Sequence, residues 1–529
     1  MPKSDKFDIP DLVKQIASVL YGAGFEAYLV GGCVRDLLLG RAPKDWDVAT
    51  NAKPAEVQKL FSSFAKATAD KPATVYENEF GTVGVKTESE DPALKIIEVT
   101  TYRSEGKYTD KRHPDEIKFA EKVEEDLARR DFTVNAIALN INSKHARLAS
   151  TASRGWEARS SKTVSDFGFR ISDFALVDPY GGEEDLKKKI IRAVGDPEAR
   201  FNEDALRLLR AVRFATELGF KIHPDTQRAI EKHAGLLSMI AKERIRDEFM
   251  KMIMAETAAG GVRLLESSGL LAHVLPELRE GIGVEQNLHH IYTVFEHSLQ
   301  SLAYAESKNY PLEIRLAALL HDVGKPKTKA GSGRNATFYA HEMVGAKMAV
   351  RALERLRLSK ELTEKVVHLV RYHMFYYNVG EVSEAGVRRF LARVGPENVP
   401  DLLKVREADR IGSGVPKAVP YKLRHLLFMI DKVKHDPVSP KMLKVRGDDV
   451  MKIAGIAPGP RVGWILATLL EEVLDDPAKN EKAYLEAAIA KLNKLSDGEL
   501  GKLSLEAKER KDEFESGIEA GIKKKYHVQ

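Results

Sequence analysis

The chain has 529 residues, long enough for about three or four domains. It is 43% hydrophobic and 30% charged with a net charge of +5, a globular composition that permits RNA binding without requiring it. There is no apolar run of about 18 residues, no apolar segment behind Met1–Lys6, and only one cysteine. These facts exclude a transmembrane helix and an internal disulfide, and they point to a cytoplasmic protein without a signal peptide.

The first informative element is the short apolar strand Ala27-Tyr28-Leu29-Val30, which runs into Gly31-Gly32-Cys33-Val34-Arg35-Asp36. Two glycines let the backbone turn and approach a ligand, and Val34 to Leu39 reads as a short helix. The free N–H groups of that helix point at whatever lies over Gly31 and Gly32, which makes a phosphate site to which Arg35 adds a cation. Cys33 stands in this loop with nothing nearby in sequence to activate it, and reads as a small filler. The segment Asp45-Trp46-Asp47-Val48-Ala49-Thr50 follows and is strand-like. Residues i and i+2 share a strand face, so Asp45 and Asp47 project together and can hold Mg²⁺ beside a triphosphate.

This pairing resembles the nucleotidyltransferase motif of the class II tRNA CCA-adding enzyme and bacterial poly(A) polymerase family. The resemblance continues along nearly the whole chain. It implies an α+β protein: an N-terminal nucleotidyltransferase palm with a mixed sheet, then all-helical neck, body, HD and RNA-binding domains. Within the palm, Lys53-Pro54-Ala55 opens a helix ending near Phe64, and Phe80–Val85 and Lys95–Thr100 read as paired strands. Glu98 precedes Thr100-Thr101-Tyr102-Arg103, a family pattern, and is either a third catalytic carboxylate or a solvent-facing strand residue. Two Mg²⁺ ions there would activate a 3′-hydroxyl and hold the leaving pyrophosphate. Arg129-Arg130-Asp131-Phe132-Thr133-Val134-Asn135-Ala136 matches another family motif. Arg130 resembles the residue that reaches the nucleotide phosphates, and Asp131 reads as the N-cap of a following helix.

Residues 143–174 break the pattern with a Ser- and Arg-rich stretch, read as an inserted mobile loop. Patterning resumes at Ala175 and is helical beyond Glu183. The run Glu203-Asp204-Ala205-Leu206-Arg207 places Asp204 and Arg207 three apart on a helix, where an ion pair is the plain expectation. In the family the matching pair reads the incoming base. Cytosine and adenine share an amino donor beside a ring-nitrogen acceptor, which an Asp and an Arg complement, whereas guanine and uracil reverse both polarities. Arg210 and Arg213 continue the helix and resemble nucleotide contacts, with Arg213 turned further round.

His297, His321-Asp322, His341, His373 and Asp409 follow the ligand order of HD-superfamily phosphohydrolases. His and carboxylate ligands suit Mg²⁺, Mn²⁺, Ni²⁺ or Fe with open positions for water and phosphate. His341 reads as a second-metal ligand and His373 as a further metal ligand. His368 competes with His373, and His289 and His290 with His297. Val445–Val450 and Ala457–Gly463 resemble the family's C-terminal tRNA-binding helices. The expected division is a palm over 1–176, a neck over 177–235, a body over 236–286, an HD module over 287–415, an RNA-binding domain over 416–493, and a charged tail over 494–529.

The resemblance implies a tRNA nucleotidyltransferase that adds CCA from CTP and ATP without a template, with an HD phosphohydrolase activity beside it. An A-adding enzyme or poly(A) polymerase shares every motif. An HD phosphohydrolase with a remnant, RNA-binding polymerase half is the rival of another class.

Overall fold

The computed structural model describes residues 7–68, 75–77, 81–105, 117–141, 175–287, 291–375, 382–414, 421–433 and 439–507. The 143–174 insert, His289 and His290, and the tail beyond 507 lie outside the described residues. The chain divides into two compact units, Met1–Pro276 and Glu277–Gln529.

The first unit runs α1 (Asp11–Gly22), β1 (Tyr28–Val30), α2 (Gly32–Leu38), β2 (Asp47–Thr50), α3 (Pro54–Thr68), β3 (Val75–Glu77), β4 (Thr82–Lys86) and β5 (Ile96–Thr101). It continues with β6 (Arg103–Glu105), β7 (Ile117–Phe119), α4 (Val123–Ala128), β8 (Ala138–Asn140) and β9 (Ala175–Val177). Seven strands form one mixed sheet in the order β3-β4-β5-β2-β1-β8-β9, in which only β2 and β5 run parallel. The expected α+β palm and its β4–β5 pairing are both present. Val48, Ala49 and Thr50 are all buried, as befits a central strand covered on both faces. Val30, Ala49, Tyr102, Leu127, Ala136 and Ala138 pack into a core behind the functional edge of β1 and β2.

Helices follow: α5 (Gly182–Lys188), α6 (Pro197–Glu203), α7 (Leu206–Leu218), α8 (Pro224–His233), α9 (Lys242–Ile253) and α10 (Ala258–Ser267). Asp196 caps α6 by accepting from the Glu198 and Ala199 amides, with Pro197 in the first turn. Helix α7 packs against α9 and α10 and ends at Gly219, whose φ of 67° is left-handed.

The described elements of the second unit are chiefly helical: α11 (Val294–Ser307), α12 (Leu312–Leu320), α13 (His341–Arg355), α14 (Lys360–Tyr372), α15 (Glu384–Val394) and α16 (Val399–Gly412). Then come α17 (Tyr421–Val433), α18 (Gly447–Ala454), α19 (Pro460–Asp475) and α20 (Lys482–Leu492). Helix α11 packs on α12 and α16, and α13 on α14. Gly324 comes so near α13 that an added Cβ would lie 2.2 Å from the His341 carbonyl oxygen. Only glycine allows that approach, which brings the end of α12 to the start of α13.

Candidate active site and candidate metal centre

Strand β2 begins at Asp47, so Asp45 lies just ahead of the strand rather than inside it. Trp46 is buried in the core, and Asp45 and Asp47 on either side of it both line one cavity. In the parallel register Asp47 stands opposite Glu98, and the Glu98 amide donates to the Trp46 carbonyl at 3.2 Å. Burial, together with the nearby Asp45 and Glu98 carboxylates, pushes the Asp47 carboxyl up to about 7 against the opposing Arg130. Glu98 is raised too, by burial and Asp45. Three carboxylates that disfavour one another's charge fit a divalent cation such as Mg²⁺, whose binding would remove that repulsion.

The glycine turn stands over these carboxylates. Gly31 has φ of 76°, and a Cβ there would lie 2.7 Å from Arg130 Nη1 and 3.8 Å from Asp47 Oδ2. At Gly32 a Cβ would lie 3.8 Å from Asp45 Oδ1. The helix after the turn starts at Gly32, two residues earlier than the sequence pattern implies, because Gly31 accepts the first helical bond from the Arg35 amide. Arg35 is held by Asn135 Oδ1 at 2.9 Å and by Asp36 at 2.8 Å, and Arg130 by Asp126 Oδ2 at 3.1 Å. Cys33 is fully buried, its Sγ donating to the Val30 carbonyl, and burial pushes its thiol up to about 12. That thiol is an inert filler.

A cavity of about 860 Å³ joins Gly31, Gly32, Arg35, Asp45, Asp47 and Arg130 to Asp204, Arg207, Arg210 and Arg213. The intrahelical Asp204–Arg207 pairing does not form, because the helix breaks there. Asp204 lies between α6 and α7 and accepts from the Leu206 amide at 2.9 Å and from Arg244 Nη2 at 2.8 Å. Arg207 instead bonds Glu203 at 2.5 Å, the Arg129 carbonyl at 2.9 Å and the Arg200 carbonyl at 3.2 Å. Arg210 pairs with Asp131 at 2.6 Å and with Glu248 at 3.4 Å, and Arg213 pairs with Glu248 and with Glu217 at 2.6 Å. Asp131 caps no α-helix. A single 3₁₀ turn, Thr133–Asn135, follows, and Asp131 accepts from the Phe132 amide, Asn135 Nδ2 and Arg210. Burial alone would raise its carboxyl, but Arg210 and Asn135 outweigh it and hold the group at about 2. Arg244, Asn135 and Glu248 went unremarked as site residues in the sequence. Their partners lie 40, 100 and 38 residues away, at no spacing that a local pattern reveals.

The second unit assembles four histidines and two aspartates from five helices. His297 comes from α11, His321 from the end of α12 with Asp322 after it, His341 from the start of α13, His373 from the end of α14, and Asp409 from α16. His321, His341 and His373 each set Nδ1 2.7–2.8 Å from the backbone carbonyl three residues earlier. That bond places a proton on Nδ1, so the neutral ring would offer its Nε2 lone pair to a metal. Two donor groups result: His297, His321, Asp322 and Asp409, and then Asp322, His341 and His373. Asp322 belongs to both, with Oδ2 3.1 Å from His297 Nε2 and Oδ1 3.2 Å from His341 Nε2. The donor set fits divalent metals with His and carboxylate ligands. His368 is not in either group; it packs on Tyr372 instead.

Three families match along the chain: the Poly A polymerase head domain over residues 27–152, the probable RNA and SrmB-binding site of polymerase A over 219–282, and the HD domain over 294–412. A CCA-adding enzyme of Limosilactobacillus fermentum is 31% identical over 488 residues, covering 91% of this chain and 96% of its own. The chain belongs to the tRNA nucleotidyltransferase family of CCA-adding enzymes and bacterial poly(A) polymerases. A second member of that family, the A-adding tRNA nucleotidyltransferase of Deinococcus radiodurans, is 36% identical over 363 residues, 66% of this chain and 75% of its own. In three dimensions the tRNA nucleotidyltransferase from Bacillus stearothermophilus, a CCA-adding enzyme solved in complex with CTP, matches with a TM-score of 0.62. That match has 27% identity and covers 92% of this chain and 98% of that chain. Among the described residues no helix is long and apolar enough to cross a membrane.

Proposed function

We propose that the chain adds C, C and A to the 3′ ends of tRNA, using CTP and ATP and no nucleic-acid template. The observation that carries this reading is the single cavity lined both by Asp45 and Asp47 and by Asp204 and Arg207. One pocket can thus select a base and present its triphosphate to a carboxylate pair. Asp45, Asp47 and Glu98 would hold Mg²⁺, which supplies charge neutralisation of the attacking hydroxyl and the leaving pyrophosphate. Gly31 and Gly32 let the triphosphate come close to the backbone, and Arg35 and Arg130 supply cations for it. Asp204 accepts from the amino group of cytosine or adenine, and Arg207 donates to the neighbouring ring nitrogen. Arg210 and Arg213, tied to Asp131 and Glu248, line that pocket and would contact the nucleotide.

Neck residues 177–235 would carry this base recognition. The body over 236–286 and the helices over 416–493 would bind the tRNA. The HD residues His297, His321, Asp322, His341, His373 and Asp409 would hold one or two divalent ions and hydrolyse phosphate esters at RNA 3′ ends. The A-adding relative favours a second reading, addition of the terminal A alone. The deciding experiment offers each nucleotide singly to tRNA ending at the discriminator base and to tRNA ending in CC. CCA addition requires CMP incorporation into the first and AMP into the second. AMP into the second alone indicates an A-adding enzyme.

A further inference from the structure

The six ligand residues of the HD cluster are each less than a tenth exposed. A charged side chain that bonds one of these residues is itself partly exposed. Arg406 lies three residues before Asp409 on α16, and its Nη1 bonds Asp409 Oδ2 at 2.5 Å. The other Asp409 oxygen, Oδ1, faces the histidines, 3.3 Å from His297 Nε2 and 3.6 Å from His321 Nε2. The two oxygens therefore have separate partners, and a metal held among His297, His321 and Asp409 would meet only Oδ1. Single-oxygen ligation leaves a coordination position for water or a phosphate oxygen.

Arg406 also approaches the second donor group. Its Nη1 is 3.9 Å from the sulfur of Met374, the residue after His373, and its guanidinium lies 5.9 Å from the Phe375 ring centre. Met374 is 38% exposed, and the Arg406 side chain is 24% exposed. The cation on the other ligand carboxylate differs. Lys325 bonds Asp322 at 2.6 Å and Gln286 at 2.7 Å, and its side chain is only 8% exposed. Arg406 has further N–H groups beyond the one spent on Asp409, in a planar fork that suits a phosphate.

We propose that Arg406 receives the phosphate of the HD cluster's substrate while its bond to Asp409 restricts that carboxylate to one metal-facing oxygen. The substrate class is a phosphate ester entering from the Met374 side. The alternative is a plain i,i+3 ion pair, which would affect the helix and nothing else. This inference rests on the cluster's being a metal site.

The test uses the full chain carrying Asp45→Ala and Asp47→Ala, so that the other carboxylate site contributes no metal binding. Calorimetric titration with Mn²⁺ alone, then with inorganic phosphate, is compared for Arg406, Arg406→Met and Arg406→Lys. Arg406→Met is expected to take up as many Mn²⁺ ions but to bind phosphate about tenfold or more weakly, the loss of a charge-assisted hydrogen bond. Arg406→Lys should recover part of that affinity. Phosphate affinity unchanged in Arg406→Met overturns the proposal, and so does loss of Mn²⁺ in both variants. Absence of Mn²⁺ uptake by the protein with Arg406 intact overturns the metal reading itself, and this inference with it.

Discussion

Burial and two nearby carboxylates push the Asp47 carboxyl up to about 7, a shift that a bound divalent cation would reverse. Replacing Asp47 with Ala should lower nucleotide addition by at least ~100-fold, the scale of losing one charge-stabilising group at a transition state. Affinity for tRNA should hardly change, because it rests on phosphate contacts elsewhere. Near-normal CMP incorporation by a folded Asp47→Ala protein would contradict this assignment. Asp204→Ala should lose preference for CTP and ATP by roughly 1–3 kcal/mol, the usual worth of a base-reading pair. Incorporation of each of the four nucleotides by the variant checks it, and unchanged preference would mean that Asp204 only anchors Arg244. Asp45 and Asp47 were legible because two carboxylates two residues apart follow a Gly-Gly turn within one short stretch. Arg244 was not, because what makes it a site residue is contact across 40 residues.

At the scale of elements, the break between α6 and α7 decides how the pocket is built. A helical period predicts one face for Asp204 and Arg207, but the break turns them to different partners. Asp131 and Arg210 then tie the 3₁₀ turn to α7. The Asp131 carboxyl sits at about 2 in the fold against its ordinary 3.8, so the pair stabilises the fold fully above about pH 4. That contribution is lost as pH falls through 2. Asp131→Asn should cost roughly 1–3 kcal/mol near neutral pH, with the deficit shrinking below pH 4. Urea midpoints of the two proteins measured against pH provide the check, and a deficit that stays constant down to pH 2 would contradict it. In the second unit, His373 and His368 are five residues apart and so lie on different faces of α14. The sequence cannot say which face turns inward. The packing of α14 on α13 does, by setting His373 Nε2 3.3 Å from His341 Nε2.

On the scale of the whole molecule, the two sets of chemistry-bearing residues fall in separate compact units, 1–276 and 277–529. His321→Ala with Asp322→Ala should therefore abolish metal-dependent phosphate-ester hydrolysis and leave nucleotide addition within about twofold, as expected for sites that share no partner residue. Parallel assays of both activities on one preparation check this, and a large loss of addition would mean that the units are coupled. The broad architecture was legible because strand and helix periods differ and the motifs fall in order along the chain. How Asp204 is held was not, because it depends on the approach of α9 to the α6–α7 break. The most direct test of the central claim supplies all four nucleotides to tRNA cut back to the discriminator base and sequences the 3′ ends of the products. The claim predicts C, C, A, followed by a stop, with no template strand present. Products extended only with A, or carrying U or G, would contradict it.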